Sequence, residues 1–160
     1  MGGEFLLVEG WLPDEGLRQA MRRFEEGGYR RMLVTGGPLL KGYALTRYQT
    51  YAALAAAALA DMGLNPALMV EIPGPPVLRD RTYASARAVG DWLAANGFGA
   101  GRLDILTQGP HARRTWTLYQ LALGPGWTCG VIAVPPLDYD PGRWWLSSEG
   151  VDAVIGEAIG

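Results

Sequence analysis

The sequence predicts an α/β domain built on a mostly parallel sheet of about five strands, with helices covering both faces. Three observations carry that expectation. Short β-rich apolar runs recur five times, helical stretches fall between them, and the two alternate with no internal repeat, charge block or low-complexity linker. Consecutive parallel strands need crossover connections, and helical crossovers pack on the sheet faces. With 160 residues, 49% of them apolar and 19% charged, residues 1–160 are expected to form a single domain.

The elements follow in order. Phe5 to Glu9 reads as the first strand, and residues 14 to 27 as a helix carrying Leu17, Met21 and Phe24 at helical spacing. Asp14 is placed to cap that helix and Gly27-Gly28 to end it. Met32 to Thr35 is the second strand, leaving through Thr35-Gly36-Gly37-Pro38. An alanine-rich helix over residues 46 to 62 ends at Gly63, and Leu68 to Ile72 is the third strand, followed by the rigid loop Pro73-Gly74-Pro75-Pro76. Residues 81 to 96 form a helix with Asp80 as its cap and Gly97 as its stop. Leu103 to Thr107, a helix from His111 to about Leu123, Gly130 to Val134 and a last helix from about Ser147 complete the series. The run from Val151 to Gly160 stops with its helical pattern still going, so a chain trimmed at one or both ends is expected.

Composition removes several function classes. A formal charge of −2 and the lack of a Lys/Arg run interleaved with aromatics argue against a nucleic-acid partner. Cys129 is the only cysteine, which excludes an intrachain disulfide and a cysteine-based metal site and fits a reducing compartment. The apolar stretch from Ala52 to Ala60 falls well short of the roughly 20 residues that span a bilayer. Met1-Gly2-Gly3-Glu4 leads into a strand without signal-peptide character, so a soluble domain is expected. The nucleophile-elbow, Walker and zinc-protease motifs are absent, and no dense carboxylate motif suggests a metal.

In an open parallel sheet, ligands bind outside the carboxyl ends of the strands. The chain's polar and glycine residues gather there. The single histidine, His111, begins a helix in Thr107-Gln108-Gly109-Pro110-His111-Ala112-Arg113-Arg114, where free backbone N–H groups favour an anion. His111 can act as acid or base, donate to an anion, or cap its own helix. Arg113 and Arg114 point about 100° apart, so one is expected to bind an anion and the other to be solvated. Thr35-Gly36-Gly37 is either a close approach to a ligand or a tight strand exit. Glu9 is the better catalytic carboxylate, since Asp14 reads as a helix cap. Trp144 and Trp145 cannot share a face, so one can fill the core while the other faces a ligand, partner or membrane surface; a packed C-terminal corner is the favoured reading.

These residues resemble the YdcF-like family, the SanA- and ElyC-related bacterial domains of unknown function. The resemblance covers nearly the whole chain and rests on Thr35-Gly36-Gly37, on the helix start Arg81-Thr82-Tyr83-Ala84-Ser85-Ala86, and on Thr107 to Arg114 with His111 and Arg114 at the family's histidine and arginine positions. Val8-Glu9-Gly10-Trp11-Leu12-Pro13-Asp14 and Trp144-Trp145-Leu146-Ser147-Ser148-Glu149-Gly150 look like one branch of it. Where many members have an Asn-Thr-X-Glu-Asn-like pattern, this chain keeps only Thr82, so roles of the family's Glu and Asn are not carried over. The resemblance implies a Rossmann-like three-layer α/β/α sandwich, a bacterial envelope connection with a membrane tether in many members, and S-adenosylmethionine or a phosphate-bearing lipid-carrier metabolite as ligand classes.

The resulting expectation is a pocket for an anionic, nucleotide-like or phosphorylated small molecule. Thr35, Gly36, Gly37, Thr82, Gln108, Gly109 and Arg114 bind it, and His111 and Glu9 are the candidate catalytic groups. Any reaction would be hydrolysis or transfer at phosphate. The alternative is a non-enzymatic envelope module that uses Trp144-Trp145 to meet a partner.

Overall fold

The computed structural model describes residues 4–159; Met1 to Gly3 and Gly160 lie outside the described residues. Five parallel strands, β1 (Phe5–Glu9), β2 (Arg31–Gly36), β3 (Met69–Pro73), β4 (Gly101–Gln108) and β5 (Trp127–Val134), form one sheet in the order β3-β2-β1-β4-β5. The helices are α1 (Asp14–Gly27), α2 (Tyr51–Asp61), α3 (Arg81–Ala95), α4 (His111–Leu123) and α5 (Ser148–Ile159). The fold is a Rossmann-like three-layer sandwich.

Alternation along the strands divides the core. Leu6, Val8, Met32, Val34 and Leu106 point to one face, where Leu17, Ala20 and Phe24 of α1 and Ala55 and Leu59 of α2 cover them. Phe5, Leu7, Leu33, Ile72, Leu103 and Ile105 point to the other, under Ala86, Val89 and Leu93 of α3 and Tyr119 of α4. Burying each such side chain fully stabilises the fold by about 1.5–3 kcal/mol, enough together to specify which face each strand presents. The chain runs outward from β1 through β2 to β3, crosses the other face to β4, and then moves outward again to β5. The sense of winding therefore reverses between β1 and β4, which puts the topological switch point at their carboxyl ends.

Several boundaries differ from expectation. The cap of α1 is Pro13 rather than Asp14, and Asp14 instead opens the first turn beside Glu15, where acids suit the helix dipole. Residues 46 to 50 are not helical. A loop from Gly37 folds back through a Pro38–Thr50 bridge, and Thr50 caps α2 by accepting from the Ala53 N–H. Asp80 holds the cap position of α3, but with φ of +54° its side chain makes no capping bond. The third strand begins at Met69 because Leu68 belongs to a 3-10 turn, Pro66–Leu68.

Strand β5 is a sheet edge whose first half is shielded by side chains. The Gln120 amide donates to the Trp127 carbonyl at 2.8 Å and accepts from the Cys129 N–H at 3.2 Å, while the Trp116 indole donates to the Cys129 carbonyl at 2.8 Å. These bonds satisfy groups that would otherwise offer a template for another strand.

Trp144 and Trp145 lie in a 3-10 turn, Pro141–Leu146, edge to face with each other. Neither belongs to the core clusters: Trp144 is half-buried and Trp145 is exposed. The split between a core and an outward tryptophan is thus realised only as a difference in exposure. Gly150, the buried residue of α5, packs on the Trp144 backbone, where a Cβ would come within 2.3 Å of the Trp144 carbonyl oxygen.

Candidate ligand-binding site

On the face covered by α3 and α4, the inward positions of the three central strands change from apolar to polar at their last layer. Leu33, Leu7 and Ile105 form one row, and two residues further on the row is Thr35, Glu9 and Thr107. All three polar residues are buried, and the Thr107 hydroxyl donates to Glu9 Oε2. The buried Tyr119 reaches this layer from α4, with Thr35 and Glu9 near its hydroxyl.

Above the row opens a cavity of about 420 Å3, within the size range of small-molecule sites. Its lining combines Glu9 at the end of β1 and Trp11 beyond it, Thr35 to Pro38 across the end of β2, Leu40 and Tyr51 from the loop and start of α2, Arg81, Thr82 and Ser85 from the first turns of α3, and His111 from the start of α4. The expected Glu9, Thr35, Gly36, Gly37, Thr82 and His111 therefore meet around one space.

The two glycines differ in what they approach. A Cβ on Gly36 would lie 2.6 Å from Tyr51 Cβ and 2.9 Å from the Ala52 nitrogen, so Gly36 allows α2 to pack against the strand exit. At Gly37, whose carbonyl accepts from the Tyr51 N–H, a Cβ would find only the Pro75 carbonyl oxygen, at 3.9 Å, so this lining residue is uncrowded. Gly36 thus fits the tight strand exit, while the space beside Gly37 is uncrowded.

Burial raises the Glu9 carboxyl above its ordinary range and outweighs the Thr107 hydroxyl, the His111 ring and the Trp11 indole, which all favour the carboxylate. Cys129 is poorly suited to nucleophilic chemistry, because burial, with Asp104 adding to it, pushes its thiol up to about 11.

His111 is held from two sides. Its ring meets Trp11 edge to face with centroids 5.3 Å apart, and its Nδ1 hydrogen-bonds Glu157 Oε1 from α5. The other Glu157 oxygen lies 3.9 Å from Arg114 Nη1. The helix start that the sequence marked as an anion site thus carries the protein's own carboxylate. No family model, curated protein or solved structure matches the chain.

Gln108, Gly109 and Arg114 do not line the cavity. Gln108 pairs with Val134 in the ladder, and the Gly109 N–H donates to the Val134 carbonyl at 2.9 Å, so both belong to the β4–β5 side. Arg114 faces Glu157. Conversely, Arg81, Ser85, Trp11 and Glu157 were not among the expected site residues. Arg81 and Ser85 flank Thr82 on the same helix start. Glu157 carries a sequence signal of its own: Gly150, Ala153, Val154 and Glu157 recur at helical spacing on the less exposed side of α5, a stripe ending in a carboxylate.

Among the described residues no helix is long and apolar enough to cross a membrane.

Proposed function

We propose that this chain binds an anionic, phosphorylated or nucleotide-like small molecule in the cavity at the carboxyl edge of the sheet, and that His111 moves a proton in a hydrolysis or transfer at its phosphate. The observation that carries this reading is the placement of Arg81 and Thr82, in the first turn of α3, around the same cavity as the uncrowded Gly37. A helix start offers N–H groups with no carbonyl ahead of them, a guanidinium adds full charge, and an uncrowded glycine lets an anion come close. The position at the switch point, beside a half-buried histidine, supports the same reading. The YdcF-like resemblance favours a phosphate-bearing envelope metabolite and makes S-adenosylmethionine the second ligand class to try.

Calorimetric titration of the wild type and Arg81→Ala with phosphate, pyrophosphate, a nucleotide, S-adenosylmethionine and a water-soluble isoprenyl phosphate tests the proposal. Saturable binding that weakens at least tenfold in the variant is expected, as for loss of a charge-assisted hydrogen bond. Absence of binding to every ligand would overturn it. The interaction-module reading would then lead, favoured by the adjacent Trp145 and Leu146, which are 58% and 71% exposed.

A further inference from the structure

We infer that Glu157 is the positioning residue for His111, so that the C-terminal helix supplies the partner that makes this histidine a base. Nδ1 of His111 is engaged by Glu157 Oε1, and a carboxylate in that place selects the tautomer that carries its proton on Nδ1. Nε2 is then the unprotonated nitrogen of a ring that lines the cavity. Trp11 meets the ring edge to face, and Arg114 lies 3.9 Å from the second Glu157 oxygen, which is buried and accepts no hydrogen bond among the described residues. Glu157 also sits at the start of α4, where the helix dipole favours its charge. Glu9 interacts electrostatically with His111 and accepts from Thr107 on the cavity floor, whereas Glu157 is the carboxylate bonded to the ring.

The arrangement assigns a direction to proton movement, and its use in catalysis rests on the anion-binding role proposed above. Nε2 takes a proton from a water molecule as the water oxygen bonds to phosphorus of a bound phosphoester. The bridging oxygen leaves on the opposite side with the electrons of the broken P–O bond and takes a proton from solvent, to which Nε2 returns the proton it took. Glu157 stabilises the imidazolium between the two transfers.

His111 is the single histidine in the chain, so its ring nitrogens can be read in the ligand-free protein by long-range proton–nitrogen correlation at a pH where the ring is neutral. The wild type is expected to show the Nδ1–H tautomer. Glu157→Ala should shift the tautomer ratio at least fivefold toward Nε2–H, whereas Glu157→Gln, which keeps a carbonyl acceptor, should retain the wild-type tautomer. An Nε2–H tautomer in the wild type, or no change in Glu157→Ala, overturns the inference. The wild-type spectrum decides even if the alanine variant does not fold. Because no ligand is present, failure here is distinct from failure of the titrations.

Discussion

Thr107 donates a hydrogen bond to Glu9 across 98 positions of sequence, joining the ends of β4 and β1 in a buried layer. Burial there raises the Glu9 carboxyl above its ordinary value of 4.5. Above that pH the folded chain binds more protons than the unfolded chain, so the contribution of Glu9 to stability falls as pH rises toward the folded value. Glu9→Gln, fixed in the neutral state, should therefore gain stability relative to wild type from pH 4.5 upward and lose the associated slope. Urea unfolding at a series of pH values measures this, and parallel curves for the two proteins would count against a buried, proton-holding Glu9.

Gly36→Ala and Gly37→Ala should separate packing from binding. The first forces a Cβ onto the Tyr51 and Ala52 backbone and is expected to cost about 1–3 kcal/mol of stability, as overpacking does. The second meets open space and should unfold near the wild-type midpoint while weakening pyrophosphate binding. Chemical denaturation and calorimetry on both variants give the comparison; equal destabilisation would contradict the division.

Two arginines offer a second contrast. Arg81 lines the cavity, and its replacement by alanine should weaken an anionic ligand at least tenfold, whereas Arg114→Ala removes a group that faces Glu157 and should leave affinity within about twofold. The reverse ranking would return the anion to the start of α4.

Removing the Gln120 amide should expose the edge of β5. Gln120→Ala leaves the Trp127 carbonyl and Cys129 N–H without their partner and is expected to cost about 1–3 kcal/mol. Concentration-dependent self-association, read by light scattering, should rise with it. An unchanged midpoint together with unchanged scattering would show that the amide does not protect the edge.

The sheet was legible because its evidence is local. Five apolar runs and the helical periods between them declare themselves within a dozen residues each, and all ten elements appear where the alternation put them. The ends were less legible. Residues 46 to 50 are swung out of α2 by the Pro38–Thr50 bridge, a pairing that local helix-forming tendency does not report. At the site, Glu9, Thr35, Gly37, Thr82 and His111 were visible because each ends or follows a strand or opens a helix. The partner of the anion-site candidates at the start of α4 was not. Glu157 reaches His111 from 46 positions away, and its register on α5 becomes meaningful only once that helix lies beside α4.

The central place of β1 has a consequence for synthesis. Phe5 pairs with Arg31 soon after both emerge, but its other neighbour is Leu103, so one side of the first strand stays without a hydrogen-bonded partner until most of the chain has been made. The nascent segment Phe5 to Val8 is wholly apolar and, in that interval, is available to a chaperone or to another nascent chain. Its closure onto β4 is a long-range step of the slow kind. Since Glu9 and Thr107 meet only when that step is complete, the pocket matures no earlier than the seam between β1 and β4.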